Sequence, residues 1–224
     1  METINTLYHF GDSFATSCES EVIFTKHMAD TLSMNWKGYG KSGACNEQIF
    51  SKILDNLYEL KKGDLLIINW SYFSRISYIS DNKLSSSNQL FPVPYNINIT
   101  PTYNNFILDY AIKFNYDNSC KLFKSSWLSI QNYLDKVGVR YIQTILANDL
   151  FQDGIKIEDV YTEFSELRNM IQFPKKDGNH MFYENWLDSL NWKNEECSHY
   201  TAGIQRMLSS RWVGYYYYFY PNLI

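Results

Sequence analysis

A chain of 224 residues, 45% apolar and 20% charged, can bury one substantial core and reads as soluble and globular. Its formal net charge of -4, with no basic stripe to offset it, removes the electrostatic footing for nucleic acid. No apolar stretch approaches membrane-spanning length, so no membrane span is expected.

Cys18, Cys45, Cys120 and Cys197 are scattered without Cys-x-x-Cys spacing, which argues for reduced thiols and against a disulfide framework or a zinc cluster. The opening Met1-Glu2-Thr3-Ile4-Asn5 lacks a basic segment followed by an apolar one, so a cytoplasmic product is expected. Association with a phage particle is compatible with that origin. The 19 Tyr and 14 Phe, with many Asn, suit a surface that handles sugars or packs against a partner, and equally an AT-rich genome.

The first apolar run, Thr6 to Phe10, reads as a strand that breaks into Gly11-Asp12-Ser13. A helix through Val22, Ile23, His27 and Met28 is expected next. Met34-Asn35-Trp36 reads as a second strand running into a glycine-rich loop, Gly38 to Gly43. Ile49, Phe50, Ile53, Leu54, Leu57 and Leu60 recur at helical spacing, and Lys61-Lys62-Gly63 is a fitting helix end. Leu65 to Ile68 is an unbroken apolar run, as expected of a strand buried on both faces. Strand, helix and strand in this order predict a parallel sheet with right-handed crossovers.

From Ile76 to Thr100 the periodicity fails and Ser, Asn and Pro dominate, which predicts a loop or lid. Pro101 opens a further helical region, and Phe123, Trp127, Ile130 and Leu134 form a helical stripe ending at Val137-Gly138. Val139 to Leu146 reads as a strand, and 149–194 is mixed, with a polar turn at Lys175-Lys176-Asp177-Gly178. A last helix follows His199, with Ile204, Met207, Leu208 and Trp212 on one face. The aromatic C-terminal tail, 213–224, is expected as an edge strand or as a contact for a homo-oligomer or larger assembly. Residues 1–224 are thus expected to form a single domain.

Four short blocks carry chemistry. A serine at the carboxyl end of a first strand lies where open α/β sheets bind ligands, so Ser13 reads as a nucleophile or as a plain helix N-cap. Asp12 can hold the turn by bonding local amides. Gly43, in Gly43-Ala44-Cys45-Asn46, can bring a backbone N–H close to a substrate oxygen, while Asn46 can cap the next helix or bridge loops; the other reading is a simple loop-to-helix junction. Asn69 and Ser71 flank Trp70 at a strand end, point to one side, and are oxyanion-donor candidates or merely polar residues meeting water; Arg75 follows. His199 stands three residues after Glu196, a spacing that suits a base and the acid that orients it, or a surface His behind a Ser198 cap. His180 is the alternative base, and His9 reads as a packed core residue.

Taken in chain order, these blocks resemble the SGNH hydrolase family, also called GDSL-type esterases. Gly11-Asp12-Ser13 match the nucleophile block, and Gly43 matches the second block's glycine, with the family's frequent following Asn at Asn46. The third block normally reads Gly-x-Asn-Asp, whereas here Asn69 stands at its glycine and Ser71 at its asparagine. Trp70-Ser71 with the later Arg75 resembles a branch in which Trp-Thr and a nearby Arg replace that block. The last block, Asp-x-x-His, is met by Glu196 and His199, with Glu in place of Asp.

The resemblance implies a flavodoxin-like α/β/α sandwich with a mostly parallel sheet, no metal and no cofactor. It implies a Ser13–His199 pair oriented by Glu196, an oxyanion hole from the Ser13 and Gly43 N–H groups with Asn69 or Ser71, and support from Asp12, Asn46, Trp70 and Arg75. The expected activity is hydrolysis of acyl esters, often acetyl, on a small molecule or a glycan. Other expectations are a catalytically weak scaffold that binds glycans or serves assembly, and an O-acyltransferase.

Overall fold

A computed structural model describes residues 4–12, 15, 23–41, 43–71, 77–80, 83–86, 116–145, 167–171, 173–176, 179–181 and 202–223. They form an α/β fold around a four-stranded parallel sheet. Strands β1 (Thr6–Gly11), β2 (Asn35–Gly40), β3 (Leu65–Trp70) and β6 (Arg140–Ile145) lie in the order β2-β1-β3-β6. Every residue of β1 and β3 is buried, because each strand has a neighbour on both sides and helices over both faces; their apolar runs therefore do not alternate. At the β2 edge the strand is only partly buried, and its sequence is correspondingly polar.

One face carries Tyr8, Phe10, Leu66, Ile68 and Trp70, packed against Ile49 and Ile53 of α2 (Asn46–Asn56) and Trp127, Ile130 and Leu134 of α3 (Tyr116–Val137). On the opposite face, Leu7, Leu65, Ile67 and Ile142 meet Phe24, Met28 and Ala29 of α1 (Phe24–Thr31) and Leu208, Trp212 and Tyr216 of α4 (Ala202–Phe219). No side chain caps α1 at Ile23; instead the Phe24 N–H donates to Gln205 Oε1 of α4 at 2.8 Å, which ties the two helices together. Among the described residues no helix is long and apolar enough to cross a membrane.

The structure corrects several sequence expectations. The helix expected to run through Val22 and Ile23 from near Ser13 begins at Phe24, because Ile23 is extended; 13–14 and 16–22 lie outside the described residues. β2 runs on through Gly38-Tyr39-Gly40, because its backbone pairs with β1 in continuous register, His9 with Gly38 and Gly11 with Gly40. Gly38 leaves room for its own neighbour: a Cβ there would stand 2.5 Å from the Trp36 ring. α2 stops at Asn56 and tightens into a 3-10 turn, Leu57–Glu59, leaving Leu54 exposed. The chain then enters β3 through Gly63, whose φ of 91° is the left-handed conformation that glycine adopts freely.

The expected lid holds a hairpin, β4 (Ser77–Ser80) with β5 (Lys83–Ser86), and its remaining residues lie outside the described ones. In a second hairpin β7 (Phe173–Lys176) pairs with β8 (Asn179–Met181); Lys175 and Lys176 of the expected polar turn are strand residues, and Asp177 and Gly178 lie outside the described residues.

The aromatic tail is helical rather than extended. Trp212, Tyr216 and Tyr220 recur every fourth residue, which is one face of a helix, and the first two are buried. It does cover a sheet edge, by a different device. The Tyr220 hydroxyl accepts the Tyr141 N–H (2.9 Å) and donates to the Tyr141 carbonyl (3.0 Å), satisfying edge groups of β6 that no strand among the described residues pairs. Asn169 Nδ2 also donates to this oxygen, and Gln143 pairs with the backbone around Met170. Burial pushes the Tyr220 hydroxyl up to about 12, so it stays protonated and can serve as both donor and acceptor. Tyr220→Phe is expected to cost roughly 1–3 kcal/mol, the penalty for stranding buried backbone groups. Amide hydrogen exchange should show the protection lost at Tyr141.

Candidate functional site

In the order β2-β1-β3-β6, chain progression reverses between β1 and β3. Ligands bind open parallel sheets at that reversal, outside the carboxyl ends of the strands. Three of the four blocks end there. β1 delivers Gly11 and Asp12, the loop after β2 delivers Gly43, and β3 delivers Asn69, Trp70 and Ser71.

Gly11 has to be glycine. A Cβ at that position would lie 2.8 Å from the Ala15 Cβ and 3.0 Å from the Asn69 Cβ. The backbone turns directly after it, with the Ala15 N–H donating to the Asp12 carbonyl at 3.0 Å. The loop after β2 is fastened to the same place, because the Lys41 N–H donates to the Gly11 carbonyl at 3.2 Å. Gly43 has a φ of 73°, so the turn into α2 needs the freedom that only glycine has there.

Asn46 does not cap α2; it is the first helical residue, and it bridges. Its Oδ1 accepts the Ser71 N–H (2.8 Å) and its Nδ2 donates to the Ser71 carbonyl (3.2 Å). This two-pronged clamp locks the end of β3 to the start of α2. From the same residue the Ser71 hydroxyl reaches Asp12 Oδ2 at 3.5 Å. Asp12, Asn46 and Ser71 are all buried, Asp12 and Ser71 completely. Asn46→Ala removes the clamp from inside the protein, and a loss of about 2 kcal/mol is expected in urea unfolding.

Asn69 points away from this junction. Its Oδ1 meets His9 Nε2 at 2.5 Å, and its Nδ2 donates to Thr144 Oγ1 at 2.9 Å. His9 Nδ1 in turn lies 2.9 Å from Thr25 Oγ1, which accepts the Trp36 indole N–H at 3.1 Å. The directions fix the tautomer. The Asn69 oxygen must accept, so His9 carries its proton on Nε2 and accepts from the Thr25 hydroxyl at Nδ1. His9 is completely buried, and loss of solvation lowers its pKa to about 4, which keeps the ring neutral. This chain of side chains beneath the strand ends was not anticipated from sequence. Its only signal is the presence of His9 and Asn69 inside otherwise apolar runs.

Trp70 projects to the opposite face. Its indole N–H donates to Gln143 Oε1 (2.8 Å), and its ring meets Trp127 edge-on at 5.1 Å, so it supports the core under the site. Ser13, Arg75, Glu196 and His199 lie outside the described residues; His180 is in β8. The described part of the site therefore consists of a braced floor: Gly11 and Asp12, the Gly43 turn, the Asn46 clamp and Ser71. No family model matches the chain, and no curated protein does.

Proposed function

We propose that the chain is a serine esterase of SGNH type, with the three-layer α/β/α arrangement of that family. The observation supporting this most directly is the Asn46 clamp on Ser71. It joins the second and third blocks, and the Asp12–Ser71 contact joins the first. Residues far apart in sequence thus share the one sheet edge where α/β folds bind ligands.

In this reading Ser13, directly after Asp12, attacks the ester carbonyl while His199 takes its proton and Glu196 stabilises the imidazolium. The tetrahedral oxyanion is held by the N–H groups of Ser13 and Gly43. Asn69 and Ser71, both fully buried, hold the floor, the first through His9 and Thr144 and the second through Asn46 and Asp12. Water then releases the acyl group, again with His199 as base.

The test is hydrolysis of p-nitrophenyl acetate by wild type and Ser13→Ala, with fluorophosphonate labelling of Ser13 as an independent readout. The complete burial of Ser71, which stands at the family's asparagine donor, favours a second reading: a scaffold with weak or no turnover that binds glycans. Equal rates in the two proteins would select it. Product analysis with a sugar acceptor separates hydrolysis from acyl transfer.

A further inference from the structure

The C-terminal helix α4 leaves two large aromatic side chains in water. Tyr217 and Tyr218 are 36% and 76% exposed, although Trp212 and Tyr216 of the same helix are buried. Their rings touch Tyr216 and Phe219 edge-on, which leaves ring surface open toward solvent. Two turns earlier on the same side stand Arg206, exposed, and Met207, half-buried. α4 contains no Asp or Glu, so no group of the helix itself pairs with Arg206.

Between these two pairs the helix surface is flat. Ser210 and Gly214 lie within about 40° of one line, on the side opposite the buried Trp212, and Gly203 continues that line into the first turn. The Ser210 hydroxyl folds back to donate to the Arg206 carbonyl at 3.2 Å, so its proton is satisfied when the face is covered. Gly214 does not have a positive φ, and a Cβ there would meet nothing within 4 Å. Alanine would fit, and glycine in a helix interior lowers the folding equilibrium about fivefold against it. The chain's own fold thus gives no reason for this glycine.

The face complements itself about a two-fold axis level with Trp212. An antiparallel copy brings together residues that lie equally far, within one residue, from that position. Ser210 then meets Gly214 of the copy, small against small, and the backbones can approach closely. On one side of the line Arg206 faces Tyr217 of the copy, a cation over an aromatic ring. On the other, Met207 faces Tyr218 of the copy, a thioether against a ring. Arg211 falls about 80° from the line, at the rim, where water and salt screen it from its counterpart.

We propose that this face joins two copies of the chain through antiparallel α4 helices. A second copy fits better than an unrelated partner because the cation, the thioether, the aromatics and the small residues each find their counterpart on the same face. An 18-residue helix is about 27 Å long and, at about 10 Å of width, covers about a third of the roughly 800 Å² per subunit of a standard interface. The dimer is therefore weak, with a Kd of roughly 10–100 µM expected. No residue of the candidate site takes part, so dimerisation stands whether or not the chain is an esterase.

The experiment is sedimentation equilibrium of the full chain, kept reduced, from about 5 to 500 µM. A passage from monomer to dimer, and no further, is expected. Gly214→Gln gives two readouts of opposite sign. Its thermal midpoint at low concentration rises, because glutamine favours the helix and has room, while association weakens at least roughly tenfold. Arg206→Glu and Tyr218→Ala should each weaken association roughly three- to tenfold, and Lys136→Ala on α3 should leave it unchanged. On oxidation, a mixture of Ser210→Cys and Gly214→Cys proteins should give the mixed disulfide in excess of the random proportion. A monomer at every concentration overturns the proposal, as does assembly that grows past two or a dimer undiminished in Gly214→Gln. Random cross-linking overturns the antiparallel register. A chain that stays monomeric but binds phosphatidylserine vesicles overturns the proposal too, because the aromatic and cationic side chains would then serve a membrane surface.

Discussion

Ser13→Ala is expected to lower the hydrolysis of p-nitrophenyl acetate by at least roughly 10³-fold, because removing a serine nucleophile leaves only binding and oxyanion contacts. His199→Ala should fall to a similar level. The double variant should be scarcely slower than either, since the two side chains act as one unit. Ser71→Ala tests a different part of the same reading. Were Ser71 the donor that the family's asparagine supplies, its loss would cost roughly 10²–10³ in kcat. Complete burial and contacts to Asn46 and Asp12 instead predict a loss of less than about tenfold, from a loosened floor alone. A larger loss, in a protein with unchanged unfolding behaviour, would return Ser71 to the oxyanion hole.

The central strands were legible because burial on both faces leaves no polar face to preserve: Leu65 to Ile68 is an apolar run with β3 built on it. α3 was equally plain, since Trp127, Ile130 and Leu134 face one core. β2 was not legible past Trp36. Gly38-Tyr39-Gly40 has the composition of a loop, and only pairing with β1 makes it a strand, a long-range fact that local composition does not contain. The tail misled for a related reason. Consecutive tyrosines favour strands, but the decisive contacts fall at Tyr216 and Tyr220, one helical turn apart, on partners in β6.

The site divides along the same line. That Gly11, Gly43 and the end of β3 would meet was implied by the resemblance, and the strand order that brings them to one edge comes from the structure. What each amide bonds to was not implied. Alternation predicts that Asn69 and Ser71 point to one side, yet Asn69 is committed to His9 and Thr144, while Ser71, one residue past β3, turns to Asn46 and Asp12. The Asn69 partners come from β1 and β6, so reading them requires the neighbours of β3 to be known first. Asn46 was assigned two roles from its position, and the structure selects the bridge.

The buried imidazole makes the floor of the site acid-sensitive in a defined window. Loss of solvation holds the His9 pKa at about 4, against 6.5 in the unfolded chain. Between these values the unfolded chain takes up a proton that the folded protein refuses. Stability is therefore complete above pH 6.5, falls as pH drops through the window, and gains no further penalty from this group below about pH 4. At about 1.4 kcal/mol per unit, His9 alone should remove about 2 kcal/mol between pH 7 and pH 5. Its ring contacts Thr25, Asn69 and Phe24, none of them a carboxylate that would favour the charged form. His9→Gln isolates the effect, because glutamine does not titrate. The variant should be less stable at pH 7, having lost the fit to Asn69 and Thr25, but its stability should decline less on acidification. Urea unfolding of both proteins at pH 7, 6 and 5 measures the difference. Parallel declines would mean that His9 takes up its proton without leaving the core, and that the chain from Trp36 to Thr144 tolerates a charge.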